Sequence, residues 1–167
     1  MKNNTFYFFF LITLFLSFKL TAQDLEINSS KIKYDNKAKI TIFEGNVSSN
    51  DEKGNKLFSE YAEYNKLDKK IKTSGKTEII TSNGYEVVSA NVIFDNKKKT
   101  ISSNYKTQIK DKDGNKILVD MFNYSTSTNI FFSKGNIKIF DVNNNDYSFS
   151  EIYIDENKKK IIGTGIK

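Results

Sequence analysis

The side chains able to do chemistry in this sequence are few in kind. The chain has no histidine and no cysteine, all 26 of its basic residues are lysine, and its acidic residues number 20. General acid–base work needs a titrating group held in a pocket, and only carboxylates, lysines and tyrosines are on offer. Asp35, Asp95 and Asp155 each follow an aromatic residue or isoleucine and precede a lysine-rich stretch. Aspartate in that position closes a turn through neighbouring backbone N–H groups. The inventory predicts no enzyme, no metal site and no cofactor. The lysine runs Lys97 to Lys99 and Lys158 to Lys160, with Lys69 and Lys70, recur at one point of a period. They fit two roles: meeting the phosphates of an anionic ligand, or keeping sheet edges from pairing wrongly.

The elements that carry these residues begin after a distinct N-terminal stretch. Residues 1–22 hold Lys2, an apolar run from Phe6 to Phe18 and then a small residue, Ala22, which together predict a secretory signal peptide. The run is 13 residues, against about 20 for a helix that crosses a bilayer. A retained anchor is the alternative, and the N-terminus of the exported protein separates the two. Removing Lys2 and Lys19 leaves 24 lysines against 20 acids, a mild excess that reads as evenly spread. That falls short of the clustered footprint of a nucleic-acid binder, so no nucleic-acid partner is expected. Without cysteine, an exported chain is held by packing and backbone pairing alone.

From residue 23 to residue 167 the sequence repeats with a period of thirty. Tyr34, Tyr64, Phe94, Tyr124 and Ile154 fall thirty apart, and a second column holds Gly45, Gly75, Gly135 and Gly165, with Tyr105 as the exception. A third holds Gly54, Gly84 and Gly114, with Asn144. Such a unit cannot bury its apolar face alone and must stack on its neighbours. Within each unit the alternation is two, which predicts strands, with turns at "EKGNK", "SNGYE" and "KDGNK". The second glycine column lies inside a strand, where glycine marks a bulge or bend, and predicts one corner per unit. The fold class is therefore all-β: an elongated, twisted jelly roll of solenoid kind, about four and a half repeats long, with helix confined to the signal segment.

Strand phase sets the inward columns. They are Ala62, Val92, Phe122 and Ile152; Tyr64, Phe94, Tyr124 and Ile154; Ile71, Ile101, Phe131 and Ile161; and Ile79, Ile109 and Ile139. Asn91 and Met121 point away. The columns line one interior seam, across which the Tyr64, Phe94 and Tyr124 column is expected to face the Ile71, Ile101 and Phe131 column, and Thr73, Ser103, Ser133 and Gly163 add small residues beside the large aromatics of the other wall. Those small residues either leave an apolar trough unfilled or simply pack the corner.

The segments "FEGNVSSNDEKGNKLFSEYAEYN" and "SKGNIKIFDVNNNDYSFSEIYIDENKKKIIGTG" resemble the organic-solvent-tolerance (OstA-like) domain of the lipopolysaccharide transport proteins. The resemblance spans about Leu25 to Lys167 and rests on repetition of individually weak motifs. It implies a V-shaped β-jelly roll in the periplasm whose inner groove shields the lipid A acyl chains of lipopolysaccharide. It also implies end-to-end joining through edge strands to other jelly-roll proteins of the system, and so to inner- and outer-membrane transport components. Both the soluble bridge and the N-terminal domain of the outer-membrane assembly protein are similar over this length. By the same resemblance, the fourteen columnar residues from Ala62 to Ile154 are the lipid-binding set. The competing reading is an exported structural repeat that assembles by strand addition and carries no ligand.

Overall fold

Fourteen strands, and no helix, account for the regular structure in the computed structural model, which describes residues 26–165. The expected signal segment lies outside the described residues. In chain order the strands are β1 (Glu26–Asn28), β2 (Lys31–Asp35), β3 (Ile40–Asn50), β4 (Lys56–Asn65), β5 (Lys70–Ile80), β6 (Glu86–Ala90) and β7 (Ile93–Asp95). They continue as β8 (Thr100–Ser103), β9 (Thr107–Lys110), β10 (Lys116–Val119), β11 (Phe122–Ser125), β12 (Ile130–Phe140), β13 (Asp146–Asp155) and β14 (Lys160–Thr164). All pair antiparallel, each hairpin laying its strand beside the previous one.

The sheet folds along its length into two walls. Wall I takes β2, the Ile40 to Glu44 part of β3, the Tyr61 to Asn65 part of β4, the Lys70 to Ser74 part of β5, and then β7, β8 and β11. It ends with the first half of β12, the second half of β13, and β14. Wall II takes β1, the other halves of the long strands, and β6, β9 and β10. The corner between the walls is the predicted one. Pairing slips between Glu44 and Val47, between Ser59 and Tyr61, and between Lys134 and Ile137.

The bulge conformation explains the glycines: Gly75 has φ +76° and Gly135 φ +115°, values that a side chain resists. Both of these bulges are latched by a side chain from a neighbouring segment. Gly75 N–H donates to Asn91 Oδ1 at 2.9 Å and Asn136 N–H to Asp120 Oδ2 at 3.0 Å. Where the repeat has Tyr105 instead of glycine, the strand stops at Ser103 and restarts at Thr107. The chain therefore crosses the corner as five long bent strands and, in its middle, as three broken pairs.

Turns lie along two rims. On the outer rim of wall II, Asp51, Asp111 and Asp141 each accept from two backbone N–H groups and hold an asparagine side chain four residues on. Asn55 Oδ1 and Asn115 Oδ1 then accept from Ser82 N–H and Val142 N–H of the next turn, at 2.9 and 3.1 Å. Along wall I the turns bond backbone to backbone: Lys66 N–H to Lys39 O, Asn96 N–H to Lys69 O, Thr126 N–H to Lys99 O and Glu156 N–H to Asn129 O, at 2.8 to 3.1 Å. Asp35 and Asp95 cap their turns as expected, each accepting from two backbone N–H groups, and Asp155 accepts from Lys158 N–H. This constancy from turn to turn is the physical content of the thirty-residue period.

Candidate functional site

Because a strand alternates faces and neighbours pair in register, each inner face reads as rows running across the strands. The row nearest the mouth of wall I passes Tyr34, Thr41, Tyr64, Ile71, Phe94, Ile101, Tyr124, Phe131, Ile154 and Ile161 in successive cross-strand partners. On wall II the corresponding row runs Ile27, Ser49, Leu57, Ile79, Val87, Ile109, Ile117, Ile139 and Tyr147. The aromatic column and the Ile71, Ile101 and Phe131 column therefore alternate along one wall. The expectation that they stand on facing walls is corrected by this register: two columns an odd number of strands apart in one antiparallel sheet interleave.

Burial is graded from corner to mouth. Of the fourteen predicted lipid-facing residues, Ala62, Val92, Phe122 and Ile152 beside the corner are buried, as are Ile79, Ile109 and Phe131. Tyr64, Ile71, Phe94, Ile101, Tyr124, Ile139 and Ile154 are half-buried. The first group is core. Phe122 and Phe131 stack with ring centroids 6.1 Å apart, and Val92 and Ile152 have no exposed surface. The sequence reading did not pick out Leu57, Val87 and Ile117 on wall II, although they too recur at thirty.

The small residues at the corner do not open a trough. Thr73 Oγ1 accepts from Val92 N–H at 2.9 Å and from Thr77 Oγ1 at 2.6 Å; Ser103 Oγ donates to Ala90 O and Ser133 Oγ to Met121 O, each at 2.7 Å. All three are buried, and they satisfy the backbone groups freed where strands break. At Gly163 an added Cβ would run into the Phe149 ring, which occupies that space. Hydroxyls of Ser59, Thr77, Ser89 and Thr107 continue the belt, with Ser89 and Thr107 2.7 Å apart. The buried apolar core accordingly forms two clusters rather than one seam: Phe43, Val47 and Ala62 in one, and Ile79 to Ile152 in the other.

Polar groups also reach the mouth. The Tyr124 hydroxyl donates to Glu156 Oε2 at 3.0 Å and lies 3.3 Å from Asn129 Oδ1. Burial, then the Glu156 carboxylate, pushes the Tyr124 hydroxyl well above the ordinary tyrosine range. Tyr85, from a turn of wall II, is raised likewise by burial and by Glu156, Asp111 and Asp113. At the two ends of the sheet the inner face emerges into solvent. Ile32 and Tyr34 on β2 are 59% and 56% exposed, and Ile161 on β14 is 59% exposed. Among the described residues β2 pairs only with β3, and β14 only with β13.

Fold and site together define a class: a bent antiparallel sheet with an apolar inner face, half-buried along its mouth and, among the described residues, unpaired at both ends. By sequence, no family profile and no curated protein matches the chain. Among solved structures it is similar to LptH from Pseudomonas aeruginosa, described as the LptA-homologous periplasmic component of the conserved lipopolysaccharide transport device. The two superpose with a TM-score of 0.59 at 12% identity, over 67% of this chain and 82% of that one. The likeness is one of fold, and the fold is the jelly roll expected from the repeat.

Proposed function

We propose that this protein is a periplasmic lipid carrier of the lipopolysaccharide transport type, holding acyl chains along the mouth of its groove and passing them from unit to unit. The observation that carries the reading is the uninterrupted half-buried row Tyr64, Ile71, Phe94, Ile101 and Tyr124 on wall I, facing out of a corner that is already filled. A sheet that needed only a core would bury this row. Each methylene exposed to water costs about 0.8 kcal/mol, so a 12-carbon chain costs on the order of 10 kcal/mol. A lipid with several such chains needs a continuous apolar surface to cross an aqueous gap.

The half-buried members of the predicted set, Tyr64, Ile71, Phe94, Ile101, Tyr124, Ile139 and Ile154, form the acyl surface; the seven buried ones hold it in place. Joining follows from the ends. An edge strand presents unpaired backbone groups, and β2 and β14 also present apolar side chains, so a second jelly-roll unit would extend the sheet and cover Ile32, Tyr34 and Ile161 together. The resemblance to the transport family and the fold shared with LptH support the periplasmic setting and the choice of lipid.

The test is co-migration. The mature chain is mixed with lipid A in detergent, the detergent is removed, and the mixture is separated by size. Lipid eluting with the protein supports the carrier; lipid confined to aggregates while the folded protein elutes empty favours a structural repeat without ligand.

A further inference from the structure

The charges that read as evenly spread in the sequence are sorted by the fold onto opposite rims. The turns of wall I place Lys39, Lys69, Lys99 and Lys159 at one equivalent position of the thirty-residue period, with Asn129 at that position in the turn between the last two and Lys97 and Lys98 beside Lys99. The turns of wall II carry Asp51, Glu52, Asp111, Asp113 and Asp141 against Lys53 and Lys112, whereas the turns of wall I hold nine lysines against two acids, Asp68 and Glu156. On wall I the capping aspartates are engaged: Asp95 with Lys70 at 3.3 Å and Asp155 with Lys158 at 3.3 Å, besides their bonds to turn backbone. Among the described residues Lys69, Lys97, Lys98, Lys99 and Lys159 form no ion pair.

Two features indicate that these lysines are held as a row. The backbone bonds from turn to turn fix successive turns two strands apart, about 10 Å. The four lysines also have φ between 49° and 56°, left-handed values that asparagine or glycine adopts at less cost, as Asn129 does at the equivalent position of the remaining turn with φ 56°. A row of cations, interrupted at Asn129, thus borders the half-buried residues Tyr64, Ile71, Phe94 and Ile101, two to five residues away along the chain. Apolar surface and a cationic border side by side match an amphiphile with anionic groups next to its acyl chains.

We infer that the lysine rim of wall I binds the phosphate groups of the lipid whose acyl chains lie in the groove, so that the lipid is held in one orientation, phosphates toward wall I and away from the acidic rim of wall II. The inference rests on the carrier reading. It is tested by equilibrium binding of bis-phosphorylated lipid A, and of the same lipid with its phosphates removed, to the wild-type chain and to a Lys69→Asn/Lys99→Asn/Lys159→Asn variant. Asparagine keeps the turn conformation. A Lys53→Asn/Lys112→Asn variant on the opposite rim is the control.

The expected result is binding of the phosphorylated lipid about tenfold weaker in the wall I variant, with weaker salt dependence, unchanged binding of the dephosphorylated lipid, and no loss in the control. Equal affinity of the wild type for both lipids, or a variant that weakens both alike, overturns the rim assignment and leaves the groove standing. Failure of the wild type to bind either lipid overturns the carrier reading and this inference with it. Vesicles of phosphatidylglycerol complete the test: sedimentation with them, lost in the wall I variant while lipid A binding is unchanged, would overturn the inference in favour of a membrane-facing rim.

Discussion

Replacing Phe94 by aspartate separates the groove from the core more sharply than any other single change. Phe94 is half-buried in the middle of the mouth row, between Ile71 and Ile101, and touches the larger core cluster only from outside. The fold should survive with a loss of about 1–2 kcal/mol, part of what a fully buried phenylalanine contributes. Lipid binding should not survive at neutral pH. An acyl chain lying over position 94 strips water from the new carboxylate, which must take up a proton to stay. An ordinary aspartate titrates near 3.9, so protonating it at pH 7 costs about 4 kcal/mol, or about a thousandfold in affinity.

Because binding then consumes a proton, affinity relative to wild type should recover roughly tenfold for each pH unit lowered, until it levels off near pH 4. Phe94→Leu should lose no more than about tenfold and show no such slope. The assay is lipid A binding by the two variants and the wild type from pH 4.5 to 7.5, with urea unfolding in parallel. Undiminished affinity at pH 7 would refute the placement of acyl chains on this row. A loss of the same size at every pH would refute it as well, because damage to shape alone carries no proton linkage.

Three further outcomes follow from the packing. Ile152→Ala, at a position with no exposed surface, should lower stability by about 2–5 kcal/mol, read as a lower urea midpoint with an unchanged slope; a shift under 1 kcal/mol would contradict the packed corner. Gly163→Ala should cost about 1–3 kcal/mol through the clash with Phe149, and Phe149→Leu in the same chain should relieve most of it; simple additivity of the two changes would contradict the contact. Asp95, Asp141 and Asp155 are held below the ordinary carboxylate range, by the Lys98 N–H, the Asn145 side chain and the Lys158 N–H respectively. Their contribution is present above the unfolded-state value near 4 and is lost as pH falls through their lower folded values, so thermal stability should drop below about pH 4, less steeply in Asp95→Asn; an unchanged slope in that variant would contradict the assignment.

The fold was legible because the repeat is exact in length. A glycine at 45, 75 and 135 names the corner, and aspartate or asparagine at 35, 65, 95 and 155 names the turn, each from one residue type whose conformation or bonding admits little else. Strand phase set out the columns, and the register joins the fourteen residues expected along the groove into rows across the strands. Strand phase could not say which of them would be covered, because burial depends on distance from a corner whose angle no residue encodes locally. Facing and neighbouring columns also look alike in one dimension, which is why the aromatic and isoleucine columns were placed on opposite walls.

Hydroxyls left two readings open for a related reason. Thr73, Ser103 and Ser133 fitted either an unfilled trough or a packed corner, and the second holds: each bonds a backbone group released where a neighbouring strand breaks, and those breaks arise only once the sheet turns its corner. Asn91 shows the same thing from the other side. It reads as an outward, neutral position, but its φ of 51° and its bond to Gly75 N–H make it part of the corner. The sorting of charge onto two rims was hidden too, since consecutive turns in the sequence belong alternately to wall I and wall II.

The central claim, that lipid lies along the mouth of the groove, is tested most directly by photocrosslinking in cells that make lipopolysaccharide. A photoreactive phenylalanine analogue is placed singly at Phe94, Ile101 and Ile139 on the inner faces, and at Ser102 and Lys138 on the outer ones. Lipopolysaccharide adducts at the three inner positions and none at the two outer ones are predicted. Adducts at outer positions as readily as at inner ones, or none at the inner positions in folded, exported protein, would contradict it.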